Sequence, residues 1–355
     1  MRSCLVVVLM VVLSAGCKGS SQTPNDGGPA DMSSSDHMNA PEINLGGSDA
    51  GDARDAAAEK PPACTGPKCP VMLATDTDPS CCIALDGTYV YWVHFSGSAW
   101  SIMRVATGGG TPEPFERSEF IVSELAIQNN VLYWTADDGI YRRDLAAGSP
   151  SATRIVKDSL SNSPIATDAA NVYWGWSTFG GGEVRKAPLA GGTGVAVATG
   201  AQVVQLASDG TNVYWTDYGT SLNSKMMMAP VAGGTPTEIA NGLTNAGDVK
   251  IEGTNVYWYD SSNLFGTKFW KAPLGGGTPV MVALSPDFGV YEMAVDGTNI
   301  YWAAVDTIAK APIAGGAVIE VATGQTWAMY IAVDANNIYW MNNDSDAGAI
   351  MKIAK

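Results

Sequence analysis

Met293-Ala294-Val295-Asp296-Gly297-Thr298-Asn299-Ile300-Tyr301-Trp302 holds a short apolar run, an Asp-Gly turn and a second apolar run ending on two large aromatics. That is a hairpin signal. Working outward, the same frame recurs around Tyr91-Trp92, Tyr133-Trp134, Tyr173-Trp174, Tyr214-Trp215, Tyr257-Trp258, Tyr301-Trp302 and Tyr339-Trp340, at separations of 42, 40, 41, 43, 44 and 38 residues. A period of this length marks a repeat architecture.

After each doublet comes a variable polar segment. A third strand then ends near Lys-Ala-Pro (Lys186-Ala187-Pro188, Lys271-Ala272-Pro273, Lys310-Ala311-Pro312), followed by a Gly-Gly turn such as Gly233-Gly234 and a fourth strand such as Thr237-Glu238-Ile239-Ala240. Four antiparallel strands per repeat make a propeller blade, so residues 70–355 are expected to form an all-β, seven-bladed β-propeller. The last repeat has a third strand, Ala349-Ile350-Met351-Lys352-Ile353, and no fourth. Pro70-Val71-Met72-Leu73-Ala74 reads like the fourth strand Pro279-Val280-Met281-Val282-Ala283, so it should complete the last blade and leave the ring no open edge. The Tyr-Trp pairs are read as core filling between blades.

Ahead of this region, Arg2, the apolar stretch Leu5 to Leu13 and the small residues Ser14-Ala15-Gly16 before Cys17 form an export signal too short to span a bilayer. It resembles a bacterial lipoprotein signal over residues 1–16, with Ser14 where Leu is commoner. That resemblance implies that Cys17 is acylated, becomes the mature N-terminus and anchors the chain in the cell envelope, with Lys18 pointing to the outer membrane. Residues 17–69 are Gly, Ser, Pro, Asp, Asn and Ala with little to bury, and read as a flexible tether; His37 within it is no ligand. From Pro70 onward there are 27 acidic against 15 basic side chains, which argues against a nucleic-acid partner.

Cys64, Cys69, Cys81 and Cys82 are an even set in an exported chain, so two disulfides are expected, with zinc as the alternative. Neighbouring Cα atoms sit about 3.8 Å apart, below the usual disulfide span. Cys64 and Cys69 are therefore expected to bond to Cys81 and Cys82, stapling the closing blade.

Tyr214-Trp215-Thr216-Asp217 spells the signature of the YWTD-type β-propellers of low-density lipoprotein receptors, which the chain resembles in period and frame over residues 70–355. The Asp recurs as Asp260, while Tyr133-Trp134-Thr135 continues with Ala136. The resemblance implies a binding module for other proteins.

Alternating strands place the Asp-Gly and Gly-Gly turns on one uniform face, and the second-to-third strand loops and blade links on a variable one. Binding belongs on irregular loops held by a rigid scaffold. The candidates there are His94, Phe95, Trp100, Trp176, Phe179, Asp217, Tyr218, Asp260, Phe265, Phe269, Trp270 and Trp327, a mixture suited to a protein, peptide or glycan. The bland alternative is that these rings tuck into crevices between blades.

Near the axis the second residue before the turn is small in six repeats (Ala84, Ala126, Ala166, Ala207, Ala294, Ala332), and Lys250 in the fifth. A lone ammonium there needs a carboxylate, and Glu124, Asp248 and Glu292 are the candidates for a channel ion cluster. Asn342-Asn343-Asp344-Ser345-Asp346-Ala347-Gly348 lacks the downstream Glu of a calcium loop and reads as a solvated turn. No cofactor or metal is expected, and the chain is expected to be monomeric. The leading expectation is a non-catalytic, envelope-anchored binding propeller. The alternatives are a lyase or hydrolase using His94 with Asp217 or Asp260, and a purely structural envelope component.

Overall fold

The structure is a computed structural model that describes residues 69–355 apart from 77, 98, 161, 179–180, 220–222, 263–265, 288 and 345–347. Cys17, His37, Cys64, Phe179 and Phe265 lie outside the described residues. Seven four-stranded antiparallel sheets make up the fold, six of them in simple chain order from the inside out. Blades 1 to 6 span residues 79–118, 122–157, 165–199, 203–243, 246–285 and 292–323. Blade 7 takes Ala328–Val333, Asn337–Asn342 and Ala349–Ala354 from the C-terminal end and Val71–Thr75 from the other, with Val71 opposite Lys352 and Thr75 opposite Ala349. The ring is closed by that ladder.

The doublet explains the packing between blades. Adjacent residues on a strand point to opposite faces, so the Tyr of each blade enters one interface and its Trp the other. Tyr91 of blade 1 meets Trp134 of blade 2 in one apolar cluster. The same pairing joins Tyr133 with Trp174, Tyr173 with Trp215, Tyr214 with Trp258, Tyr257 with Trp302, Tyr301 with Trp340, and across the closure Tyr339 with Trp92. All fourteen rings are buried. Truncating one such Trp to Ala in a packed core costs about 3–5 kcal/mol.

In five blades the Tyr hydroxyl also reaches back to the turn that precedes it. Asp86, Asp168, Asp209, Asp296 and Asp334 each accept two backbone N–H groups on Oδ1, and on Oδ2 the phenol of the residue five ahead, at 2.8, 2.5, 3.0, 2.9 and 2.7 Å. The short Asp side chain folds the backbone into this turn. Gln128 and Glu252, one methylene longer, stand there in blades 2 and 5, and strand pairing instead runs on to Val131 and Asn255 around two-residue turns.

Two lysines of the Lys-Ala-Pro segments, and Lys352 at the same register opposite the doublet Tyr of blade 7, have a part that their sequence context did not suggest. Lys186, Lys271 and Lys352 each donate from Nζ to the first carbonyl after the third strand of the next blade, at Val231, Ile313 and Thr107, over 2.6, 2.7 and 2.7 Å. Arg142 does the same to Leu189 at 3.4 Å. A charged donor on a carbonyl is worth more than a neutral one. Lys271→Met is expected to lower unfolding free energy in urea by about 1.5–3 kcal/mol, against about 0.5 kcal/mol or less for Lys268→Met on the same strand; equal midpoints for the two variants would show that the staple carries no weight.

Candidate functional site

The residue two past the doublet Trp lies at or near the end of the second strand toward the variable face, and where it is His, Asp or Asn it clamps the link entering its own blade. Asp217 Oδ1 accepts the N–H groups of Gln202 and Gly219 at 3.2 and 3.0 Å. Asp260 Oδ1 accepts those of Thr244 and Asn245 at 2.7 and 3.0 Å and is buried. Asn342 donates to Gln325 at 3.2 Å and accepts the Trp340 indole N–H at 2.9 Å. His94 holds the equivalent place in blade 1, with Nδ1 2.7 Å from Asp76 Oδ1. Asp217 and Asp260, on blades 4 and 5, are thus engaged locally and do not partner His94.

Asp76 is the residue that sequence reasoning missed. It follows the closing strand directly, and its N–H donates to the Gly348 carbonyl of blade 7 at 2.8 Å. Its carboxylate accepts the Trp92 indole N–H at 2.5 Å and the Asp78 N–H at 2.9 Å as well as holding His94. A Cβ on Gly348 would run into the Asp76 carbonyl and the Pro79 ring, so this crossing needs glycine. The indole N–H groups of Trp174, Trp215, Trp258 and Trp302 are buried with no hydrogen-bond partner among the described residues, whereas Trp92 and Trp340, flanking the closure, have theirs.

The cysteine pairing differs from expectation. Cys81 and Cys82 are bonded to each other across a Cα–Cα distance of 3.8 Å, and Cys69 is in a disulfide of its own. The first strand of blade 1 slips register on both sides of Cys81, and Cys82 takes φ +61°, which turns both sulfurs to one side. They rest 3.5 and 3.1 Å from the Ser123 carbonyl of blade 2. The Cys81–Cys82 bridge therefore does not staple the closing segment to blade 1.

Of the aromatic candidates, most are scaffold. Trp100 lies against Phe95 with centroids 4.6 Å apart, and Trp176 packs at the interface of blades 2 and 3, where Arg185 covers it. Phe269 and Trp270 fall inside the third strand of blade 5, Gly266–Pro273, and not in a loop. Phe269 is core, and the Trp270 indole N–H is buried without an acceptor among the described residues. Tyr218 is half-buried beside Asp217, and Trp327 stays 46% exposed at a left-handed backbone position, φ +52°.

An open groove of about 480 Å³ runs between blades 3 and 4, from the variable-face loops down the third strand of blade 4. Gly181, Thr199 and Gly200 form one wall, Asn223, Lys225 and Met227 the other, and Asp217 and Gln202 lie between. Lys225 is held at the rim by Glu238 at 2.8 Å.

Around the axis, Glu124, Gln205 and Glu292 hold the same register, each opposite the residue after the doublet Trp of its own blade. In blade 5 that register belongs to Gly247, where a Cβ would strike the Tyr259 ring, and Asp248 is bulged out beside it with φ +34°. Lys250 Nζ lies 3.2 Å from Asp248 Oδ1 and 3.0 Å from Glu292 Oε1. Its side chain is ringed by protein yet 34% exposed, as befits a group lining a water-accessible channel. Glu292 Oε2 accepts the Ile331 N–H of blade 7 at 3.1 Å, Asp248 Oδ2 accepts the Met293 N–H of blade 6 at 2.8 Å, and Glu124 accepts from Gln205 at 3.1 Å.

Burial opposes the Lys250 charge, but Asp248, Glu292 and Glu124 outweigh it and hold the ammonium above the ordinary lysine range. Burial pushes Glu292 up to about 7, opposed by Lys250 and reinforced by Asp248 and Glu124. It also raises Glu124. No group of three or more His, Cys, Asp or Glu side chains suited to a metal ion occurs among the described residues.

No protein-family model and no curated relative matches the sequence. Among solved structures, an oligogalacturonate lyase in complex with manganese is similar at TM-score 0.61 and 10% identity over 80% of this chain and 89% of that one. A Mycobacterium tuberculosis puromycin-hydrolyzing peptidase is similar at TM-score 0.60 and 11% identity over 77% of this chain, which spans about half (51%) of the peptidase. A nidogen/laminin complex aligns at TM-score 0.46 and 18% identity over 60% of this chain and 86% of that one. The likeness is one of fold.

Asp76→Ala leaves the Trp92 indole and the His94 ring without their acceptor at the closure, and is expected to cost about 2–3 kcal/mol. Trp327→Ala, on the exposed link, is expected to stay within about 0.5 kcal/mol of the parent. Urea titrations of the two proteins check this, and an Asp76→Ala midpoint as high as that of Trp327→Ala would remove Asp76 from the closing contacts.

Proposed function

We propose that the chain is a non-catalytic binding propeller, lipid-anchored through Cys17 on the cell envelope at the outer membrane, that takes a protein, peptide or glycan on its variable face. The groove between blades 3 and 4 carries this reading. It is concave, lies on the loop-bearing face, and mixes an acid, amides and a lysine with apolar wall residues, the composition expected of a recognition surface. Asp217 and Asp260 are engaged locally, and the carboxylate that does meet His94, Asp76, is buried and also accepts the Trp92 indole N–H and the Asp78 N–H at the closure, which supports a structural over an acid–base part for this pair. The YWTD resemblance, whose members mostly bind other proteins, points the same way.

The test uses the mature lipidated protein as bait for envelope extracts, beside an Asn223→Ala/Lys225→Gln variant that alters the groove wall and leaves Asp217 and its two backbone donors, Gln202 and Gly219, in place. Partners held by the parent and lost by the variant are the expected outcome. The same partners on both proteins, or none on either, would refute the groove as the binding site.

A further inference from the structure

The groove between blades 3 and 4 opens where the outer strand of blade 3, Val195–Thr199, ends, with Thr199 and Gly200 in its wall. That strand is the edge of its sheet, so one row of its main-chain N–H and C=O groups has no partner strand. Edges of this kind are commonly guarded by charged side chains. Glu113, Arg154, Glu238 and Glu320 stand on the outer strands of blades 1, 2, 4 and 6. Val195-Ala196-Val197-Ala198-Thr199 carries no charge, and its first two residues are exposed. Val71–Thr75 and Val280–Ser285 are uncharged as well, but it is the blade 3 strand that runs into the groove.

The groove also lacks an acceptor that the fold supplies elsewhere. In blade 7 the doublet indole N–H is met by Asn342 and by Gln325, two residues past the preceding outer strand. The residue two past the outer strand before blade 4 is Ala201, which has no side-chain acceptor, and Asp217 Oδ1 is taken by the Gln202 and Gly219 amides. The Trp215 indole N–H at the groove is left without a partner among the described residues. Trp215 is the one aromatic among the described lining residues and is 1% exposed, so no ring face is open for a sugar to lie on. Asp217 and Glu238 face Lys225 alone, which leaves the groove net negative and disfavours an acidic occupant.

We infer that the ligand of this groove is an extended peptide without acidic side chains, which adds as a strand to the free edge of Val195–Thr199 and continues into the groove above Trp215. The inference rests on the groove being the binding site, as proposed above. Main-chain pairing along the edge supplies affinity, and the groove supplies selectivity for the side chains that enter it.

The probe is a phage-displayed library of random peptides of about ten residues, long enough at about 3.3 Å per residue to cover the edge and reach the groove, selected on the full mature chain. Enriched peptides should lack Asp and Glu, and their binding should slow amide hydrogen exchange across residues 195–200. Only alternate amides of a strand face its partner. A selected peptide N-methylated on one alternate set should therefore lose on the order of tenfold to a hundredfold in affinity, and on the other set almost none. Equal effects of the two sets, unchanged exchange along the edge, or no enriched peptide would overturn strand addition. Neutral oligosaccharides bound in place of peptides would overturn it too while leaving the groove reading intact, since that reading is decided by the envelope partners of the Asn223→Ala/Lys225→Gln variant.

Discussion

Each blade presents two apolar faces and can bury neither without a neighbour, because the Tyr and Trp of its doublet leave the strand in opposite directions. Every interface is made by a Tyr from one blade and a Trp from the next, and the seventh interface, Tyr339 against Trp92, exists only if the chain returns to its start. The ring is thus a condition for burying the rings of each blade. The ladder between Val71–Thr75 and Ala349–Ala354 meets that condition by borrowing the fourth strand of blade 7 from ahead of blade 1.

Closure by an unlinked pair of strands is the weak point of such a ring, and polar contacts concentrate there. Asp76 bonds Gly348 on one side and Trp92 and His94 on the other. At Trp174, Trp215, Trp258 and Trp302 the same doublet Trp goes without an indole acceptor among the described residues, and the connected backbone between blades does the holding. The repeat therefore supplies packing everywhere, while departures from it supply fastening where the chain is discontinuous.

Fold, blade count and the closing strand were legible because they rest on period and pattern, which sequence carries directly. The site was legible less evenly. Lys250 stood out because six alanines occupy its place, and its contacts with Asp248 and Glu292 follow from strands converging at the axis. His94, Asp217 and Asp260 read as loop chemistry, since the frame shows which residues end a strand but not which backbone amides wait there. Their common position two past the Trp was the available signal for a link clamp. The vicinal Cys81–Cys82 bond escapes a reading based on Cα separation alone, since it spans the same 3.8 Å as any neighbouring pair; two register slips and a left-handed Cys82 accompany it. Trp270 reads as a loop residue because nothing in its neighbourhood marks Gly266 as the start of the strand.

Two sets of carboxyls bend the stability of this ring in opposite directions as pH changes. At the turns, burial resists ionisation of Asp168, Asp296 and Asp334, but a hydrogen bond from Tyr173, the Lys355 ammonium or Tyr339, with backbone amides in each case, holds them below the usual carboxylate range. Their contribution is complete above the unfolded aspartate value and lost as pH falls through the folded one. At the axis the direction is reversed, because burial, with Asp248 and Glu124 beside it, outweighs Lys250 at Glu292. The first-to-second strand turns are therefore weakened by acid, whereas Glu292 at the axis shifts the other way. The blade turns and the channel together confine greatest stability to an interval bounded below by the turn aspartates and above by the channel glutamate, and neither bound involves the groove between blades 3 and 4.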